Sequence, residues 1–295
     1  MNAICRFGAL VAMLCVPAAM AQRFDAMRPP ASQPPAEAVG VDASRLAVMT
    51  MDGPAGHRYR IQVATIGQAP PDGYPVLYLL DGNASMAALK AADQAPLLRG
   101  GVLLVAVGYD TDACFDTTAR ALDYTPPRRD GQPALDPRVP GRHGGGADAF
   151  LDFLQQRVMP RMAAEWPVDA HRQGIWGHSY GGLLALHALY TRPGLFAFHA
   201  AASPALGWQA PLMDEEAGAF IAGAHRANAR LLLMAGGAER PADASSMIPA
   251  QSLAGRLRGV PGLQVDWRLF PGLSHGEAFS ASLGPAIRSF LDGPG

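Results

Sequence analysis

The stretch Gly174-Ile-Trp-Gly-His-Ser-Tyr-Gly-Gly182, continued by Leu183-Leu-Ala-Leu-His-Ala-Leu-Tyr190, decides the fold. A short apolar strand over 174–177 runs into Gly177-His-Ser-Tyr-Gly181, which matches G-x-S-x-G, and a buried helix over 183–190 leaves it. Strand, sharp turn and helix in that order form a nucleophile elbow. The strained turn lifts a serine hydroxyl above the carboxyl edge of a sheet. Without its flanks the motif is weak, because the chain holds 33 glycines. With them, Ser179 is the candidate nucleophile. Gly177, Gly181 and Gly182 let strand and helix approach closely.

Working outward, 57–65 alternates polar and apolar residues, which predicts a half-buried antiparallel strand. Continuous apolar runs at 76–80 and 102–107 suit parallel strands covered on both faces. Further strands are expected at 196–202, 229–235 and 265–270. A helix is expected over 147–164, where Phe150, Leu151, Leu154 and Val158 recur at helical spacing, and a last one over about 278–291. Strands alternating with helices give an α/β class: a single, mostly parallel sheet with helices on both faces, in one domain over 41–295. The segment 110–146 has no periodicity and is rich in Pro, Gly, Arg and Asp, which marks a lid or binding loop.

Composition narrows the function. Of 295 residues, 49% are hydrophobic, enough for a full core. The net charge of −1 argues against nucleic-acid binding, which needs clustered cations. Lys90 is the only lysine, so an anion site must use arginine forks. At the N-terminus, Arg6, the apolar run 7–16 and Ala19-Met20-Ala21 read as a signal peptide over 1–21, cut before Gln22. A Pro-rich disordered lead-in over 22–40 follows. These features predict a periplasmic or secreted protein with no membrane anchor after cleavage. Cys5 and Cys15 leave with the leader, and Cys114 is expected to be a part-buried small hydrophobe. There is no H-E-x-x-H, C-x-x-C or phosphate loop, so neither a catalytic metal nor a cofactor is expected.

A serine hydroxyl needs a base. In this architecture the acid and then the histidine follow the serine along the chain. His187 falls in the helix after the elbow, His199 in a strand and His225 in an apparent helix. Only His275, in the loop Gly272-Leu-Ser-His-Gly276 after the last strand, has the right order and position. His178 inside the elbow is read as packing. The acid should follow strand 229–235: Glu239 first, Asp243 second. A Ser–His dyad oriented by a backbone carbonyl is the alternative. An oxyanion hole needs two backbone N–H donors. Tyr180, just after the nucleophile, supplies one; Asn83, in Asp81-Gly82-Asn83, supplies the other.

These pieces together resemble the esterase-D-like branch of the α/β-hydrolases. The segment Gly73-Tyr-Pro-Val-Leu-Tyr-Leu-Leu-Asp-Gly-Asn83, the block Gly177–Gly182, Ser203-Pro204 with Trp208, and His275-Gly276 carry the resemblance. More narrowly, Arg120-Ala-Leu-Asp-Tyr-Thr-Pro-Pro127, Gly144-Gly-Gly-Ala-Asp148 and His275-Gly-Glu-Ala-Phe279 resemble periplasmic esterases of trilactone catecholate siderophores of the enterobactin and salmochelin type. The resemblance implies the α/β-hydrolase fold, nucleophile Ser179, base His275 and a dyad. It implies a small-molecule ester substrate, with iron present only as part of a ferric siderophore. Such a complex is anionic and aromatic, so Arg120, Tyr124 and Trp208 are the expected substrate contacts. Arg128, Arg129, Arg138 and Arg142 are further candidates in the lid. A generalist exported carboxylesterase for acetyl, feruloyl or short acyl esters is the competing function. A non-catalytic siderophore-binding protein on the same scaffold is a third.

Overall fold

The computed structural model describes residues 45–89, 101–136, 139–223, 228–239 and 249–293. The expected signal peptide 1–21 and lead-in 22–40 lie outside them, as do Lys90, Arg138, His225 and Asp243.

An eight-stranded sheet forms the centre. Its strands are β1 (Leu46–Asp52), β2 (Arg58–Ile66), β3 (Tyr74–Leu80), β4 (Val102–Tyr109), β7 (Val168–His178), β8 (Phe198–Ala202), β9 (Ala229–Gly236) and β10 (Leu263–Phe270). The spatial order is β1-β2-β4-β3-β7-β8-β9-β10. From β4 to β10 every neighbouring pair is parallel, and β2 runs antiparallel to both β1 and β4. β3, β4 and β8 are buried along their whole length, as their unbroken apolar runs require. β2 departs from the half-buried expectation. Tyr59, Ile61 and Val63 point into one core cluster and Ala64 and Ile66 into the other. Helices cover both faces, so the polar alternation of its first residues does not extend to its end.

Two helices were legible only in part. The run 147–164 is α3 (Ala147–Phe153), a π turn (Leu154–Val158) and α4 (Met159–Glu165). The elbow helix α5 (Tyr180–Thr191) is buried from Tyr180 through Tyr190, and it packs directly on the sheet. The remaining helices are α1 (Gly82–Ala88), α2 (Ala119–Asp123), α6 (Ala210–Ala222), α7 (Ala250–Leu257) and α8 (His275–Leu291). α8 starts three residues earlier than the periodicity predicts. A reciprocal capping box nucleates it: the Glu277 amide donates to Ser274 Oγ at 3.5 Å, and the Ser274 amide to Glu277 Oε2 at 2.8 Å. His275 is therefore the first residue of a helix, not a member of a free loop.

The segment 110–146 also has more structure than its composition suggests. It contains α2 and a two-stranded hairpin, β5 (Ala134–Leu135) with β6 (His143–Gly144). One buried carboxylate ties it down. Asp123 accepts from Tyr59 Oη at 2.7 Å, Tyr109 Oη at 2.9 Å and His57 Nδ1 at 3.3 Å. A charged acceptor with three donors joins α2 to β2 and β4. His57 in turn is held above its ordinary value, chiefly by its hydrogen bond to Asp123. Cys114 is partly buried and packs on the core, as expected.

Candidate active site

The elbow is built as the sequence requires. Ser179 has φ 59° and ψ −114°, a strained conformation for a residue with a side chain. The surroundings hold it there: its N–H donates to the Ala202 carbonyl at 3.0 Å, and its own carbonyl accepts from Leu183 and Ala205. A Cβ on Gly177 would lie 2.4 Å from the Gly181 main chain, so only glycine lets β7 and α5 cross this closely.

His275 and Glu239 reach the same carboxyl edge from β10 and β9. The His275 Nδ1 faces Glu239 Oε2 at 3.4 Å. That contact puts the proton on Nδ1 and leaves Nε2 as an acceptor. Glu239 Oε1 accepts from Ser203 Oγ and from the Gly236 N–H, both at 2.5 Å. Burial pushes the Glu239 carboxyl up. The hydrogen bonds from His275, Ser203 and Gly236 outweigh burial and hold it below the ordinary value. Ser203 sits at φ 44°, a second strained residue, and its hydroxyl orients the acid. Sequence patterning assigns Ser203 no such role; its place in a Ser-Pro pair after β8 is the available signal.

The two expected oxyanion donors both start helices. Tyr180 is the first residue of α5 and Asn83 the second of α1, positions whose amides have no intrahelical acceptor. The first bonds of α1 come from Ala84 and Ser85 to the Asp81 carbonyl. Gly82 is required because a Cβ there would fall 2.5 Å from the Gly108 nitrogen of β4. The Asn83 side chain anchors the start of the segment 110–146, donating to the Tyr109, Thr111 and Ala113 carbonyls at 3.0–3.1 Å.

The three expected substrate contacts are placed differently. Arg120 makes a bidentate pair with Asp81, Nε to Oδ1 at 2.7 Å and Nη2 to Oδ2 at 2.8 Å. Its side chain is 11% exposed and that of Asp81 1%. Tyr124 is 1% exposed, its hydroxyl accepting the Asp81 amide at 3.1 Å. Trp208 is also 1% exposed and meets the Tyr180 ring edge-on at 5.5 Å. Arg120 is thus neutralised by its partner, and neither ring offers a face to a ligand. All three pack against residues beside the elbow and the Asp81 turn. The other described arginines of the segment 110–146 also have acidic partners: Arg128 pairs with Asp130, Arg129 with Glu215 and Arg142 with Asp136. Asp136 further accepts from Tyr180 Oη at 2.7 Å, which fastens the residue after Ser179 to the segment 110–146. A recess of about 700 Å³ opens beside α2 and the hairpin, lined by His57, Thr117, Thr118, Leu122, Arg142 and His143 among others.

The other two described histidines that follow Ser179 are engaged elsewhere. His187 lies between Glu216 at 2.8 Å and Asp148 at 3.2 Å. His199 is fully buried between the Ala185 and Phe196 carbonyls. Among the described residues no group of three or more His, Cys, Asp or Glu could hold a metal ion, and no helix is long and apolar enough to cross a membrane.

Comparison with known proteins identifies the family. The Esterase family model, described as "Putative esterase", matches residues 56–242. The chain belongs to this family. It is 32% identical over 240 residues to the Ferri-bacillibactin esterase BesA of Bacillus subtilis, covering 76% of this chain and 82% of that protein. It is 37% identical over 185 residues to the Siderophore triacetylfusarinine C esterase of Aspergillus fumigatus, covering 58% of this chain and 59% of the fungal protein. Among solved structures, the enterobactin hydrolase IroE in complex with DFP superposes with a TM-score of 0.67 at 30% identity, over 84% of this chain and 95% of that one. Members of the family share the α/β-hydrolase architecture described above, with a mostly parallel sheet between helices.

Proposed function

We propose that this member of the Esterase family is a serine hydrolase that opens ester bonds of a trilactone catecholate siderophore. The observation that carries the chemistry is the strained Ser179 at the elbow, with the His275–Glu239 pair on the same sheet edge. The siderophore as substrate rests on the relatives' described activities.

In this reading His275 Nε2 takes the Ser179 proton as Oγ attacks an ester carbonyl. Glu239 holds the Nδ1–H and stabilises the imidazolium. The amides of Tyr180 and Asn83 receive the negative charge on the carbonyl oxygen, aided by the positive ends of α5 and α1. The ester oxygen leaves with the proton from His275, and an acyl group stays on Ser179. Water, deprotonated by His275, then releases the acid and regenerates the serine. The iron ion, where present, belongs to the substrate. Export through the leader at 1–21 would place the reaction in the periplasm or outside the cell.

The test is mass-spectrometric product analysis after incubation with ferric and iron-free enterobactin, beside nitrophenyl esters of short acids. Ring-opened and shorter linear products are expected, absent with Ser179→Ala. Turnover confined to the small esters would overturn the siderophore assignment and support a general carboxylesterase.

A further inference from the structure

The elbow carries one side chain that the reaction scheme leaves unused. His178 is 3% exposed, and its Nε2 lies 2.8 Å from the main-chain carbonyl oxygen of His275. A carbonyl only accepts, so that nitrogen carries the proton. The two imidazole rings are 4.6 Å apart, tilted by 50°. Behind them the His178 ring meets Phe279, one turn further along α8, at 5.5 Å. The His178 carbonyl accepts from Arg120 Nη2 at 3.3 Å, so the buried Arg120–Asp81 pair holds its main chain. Burial, followed by the charges of His275 and Arg120, keeps the imidazole well below its ordinary value, so the donor is neutral.

We propose that His178 is a positioning residue whose Nε2–H bond to the His275 main chain fixes the base relative to the nucleophile. This rests on the reading of His275 as the base. The physical need is specific. Glu239 comes from a different strand and orients the His275 ring through Nδ1, whereas His178 bonds the His275 main chain. His178 is covalently next to Ser179. A bond from its ring to the His275 backbone therefore spans the two reacting groups, which come from positions far apart in the chain. A displacement of about 1 Å between such groups costs on the order of 100-fold in rate. Neutrality matters as well, because the ring beside His275 must not oppose the charge that His275 gains during turnover.

Gln and Met have side chains of the same length, unbranched at Cβ and Cγ, and only Gln keeps an N–H donor. His178→Gln should retain kcat within about 3-fold, while His178→Met should lose about 10–100-fold in kcat with KM within about 2-fold. Equal rates for the two variants, both with native circular dichroism, would overturn the proposal by reducing His178 to core filling. His275→Ala is the parallel control. If it keeps wild-type turnover, the reading of the base fails and this inference with it. If it is inactive while the Gln and Met variants match, this inference alone fails. A measurement on the wild-type chain needs no variant to fold: imidazole nitrogen shifts should show His178 neutral and protonated on Nε2 at pH 7. An Nδ1–H tautomer or an imidazolium there would overturn it.

Discussion

Replacing Arg120 by Met separates a buried support from a ligand contact. The change removes two charge-assisted bonds to Asp81, at 2.7 and 2.8 Å, and one to the His178 carbonyl at 3.3 Å. It leaves the Asp81 side chain, 1% exposed, as an uncompensated carboxylate beneath the elbow. Removing one partner of a buried pair costs about 3–5 kcal/mol. For a domain of this size each kcal/mol moves Tm by about 2–4 °C, so the variant should melt roughly 6–20 °C lower. Thermal unfolding by circular dichroism reads this directly. Adding Asp81→Asn to Arg120→Met removes the stranded charge and should recover part of the loss. The reasoning is refuted if Arg120→Met melts within about 2 °C of wild type and instead raises KM, the signature of a residue that touches substrate.

Glu239→Ala should lower kcat by about 100- to 10,000-fold with little change in KM, since it removes the orienting partner of His275 Nδ1; steady-state kinetics giving a loss under about 3-fold would establish a dyad. Asp123→Asn weakens three bonds that hold α2 to β2 and β4, and urea denaturation should show a loss of about 2–4 kcal/mol; an unchanged midpoint would mean α2 is held by packing. Burial lowers the proton affinity of His187, but Asp148 and Glu216 more than offset it and raise it to about 9. A raised value in the folded state makes this contribution to stability full below about pH 6.5 and lost as pH rises through about 9. Denaturation at pH 6 and pH 9.5 should show that fall in wild type and a flatter profile in His187→Gln; identical profiles would contradict it.

The elbow, the parallel strands and the approach of His275 to Glu239 were legible because each depends on local patterning or chain order. Gly177 illustrates this: its neighbour across the turn is Gly181, four residues away, and their contact is written in the motif. The start of α8 was also written locally, in Ser274 and Glu277, and was missed because the apolar period begins only at Ala278. The environment of Arg120 was not legible. Its partner Asp81 lies 39 positions away, and nothing local distinguishes an arginine that binds an anion from one that neutralises a buried aspartate. Tyr124 and Trp208 were assigned to ligand by their chemistry and are buried by tertiary packing instead. The segment 110–146 looked structureless because its order comes from single anchors, the long-range bonds of Asp123 and the Arg142–Asp136 pair within the hairpin, and not from periodicity.

The central claim is that Ser179 is the atom-donating nucleophile, activated by His275. Exposure to diisopropyl fluorophosphate, followed by intact-mass and peptide analysis, tests it most directly. One phosphoryl adduct is predicted, located on Ser179, absent in Ser179→Ala and formed far more slowly in His275→Ala. An adduct on another residue, or full ester turnover with Ser179 removed, would contradict the account.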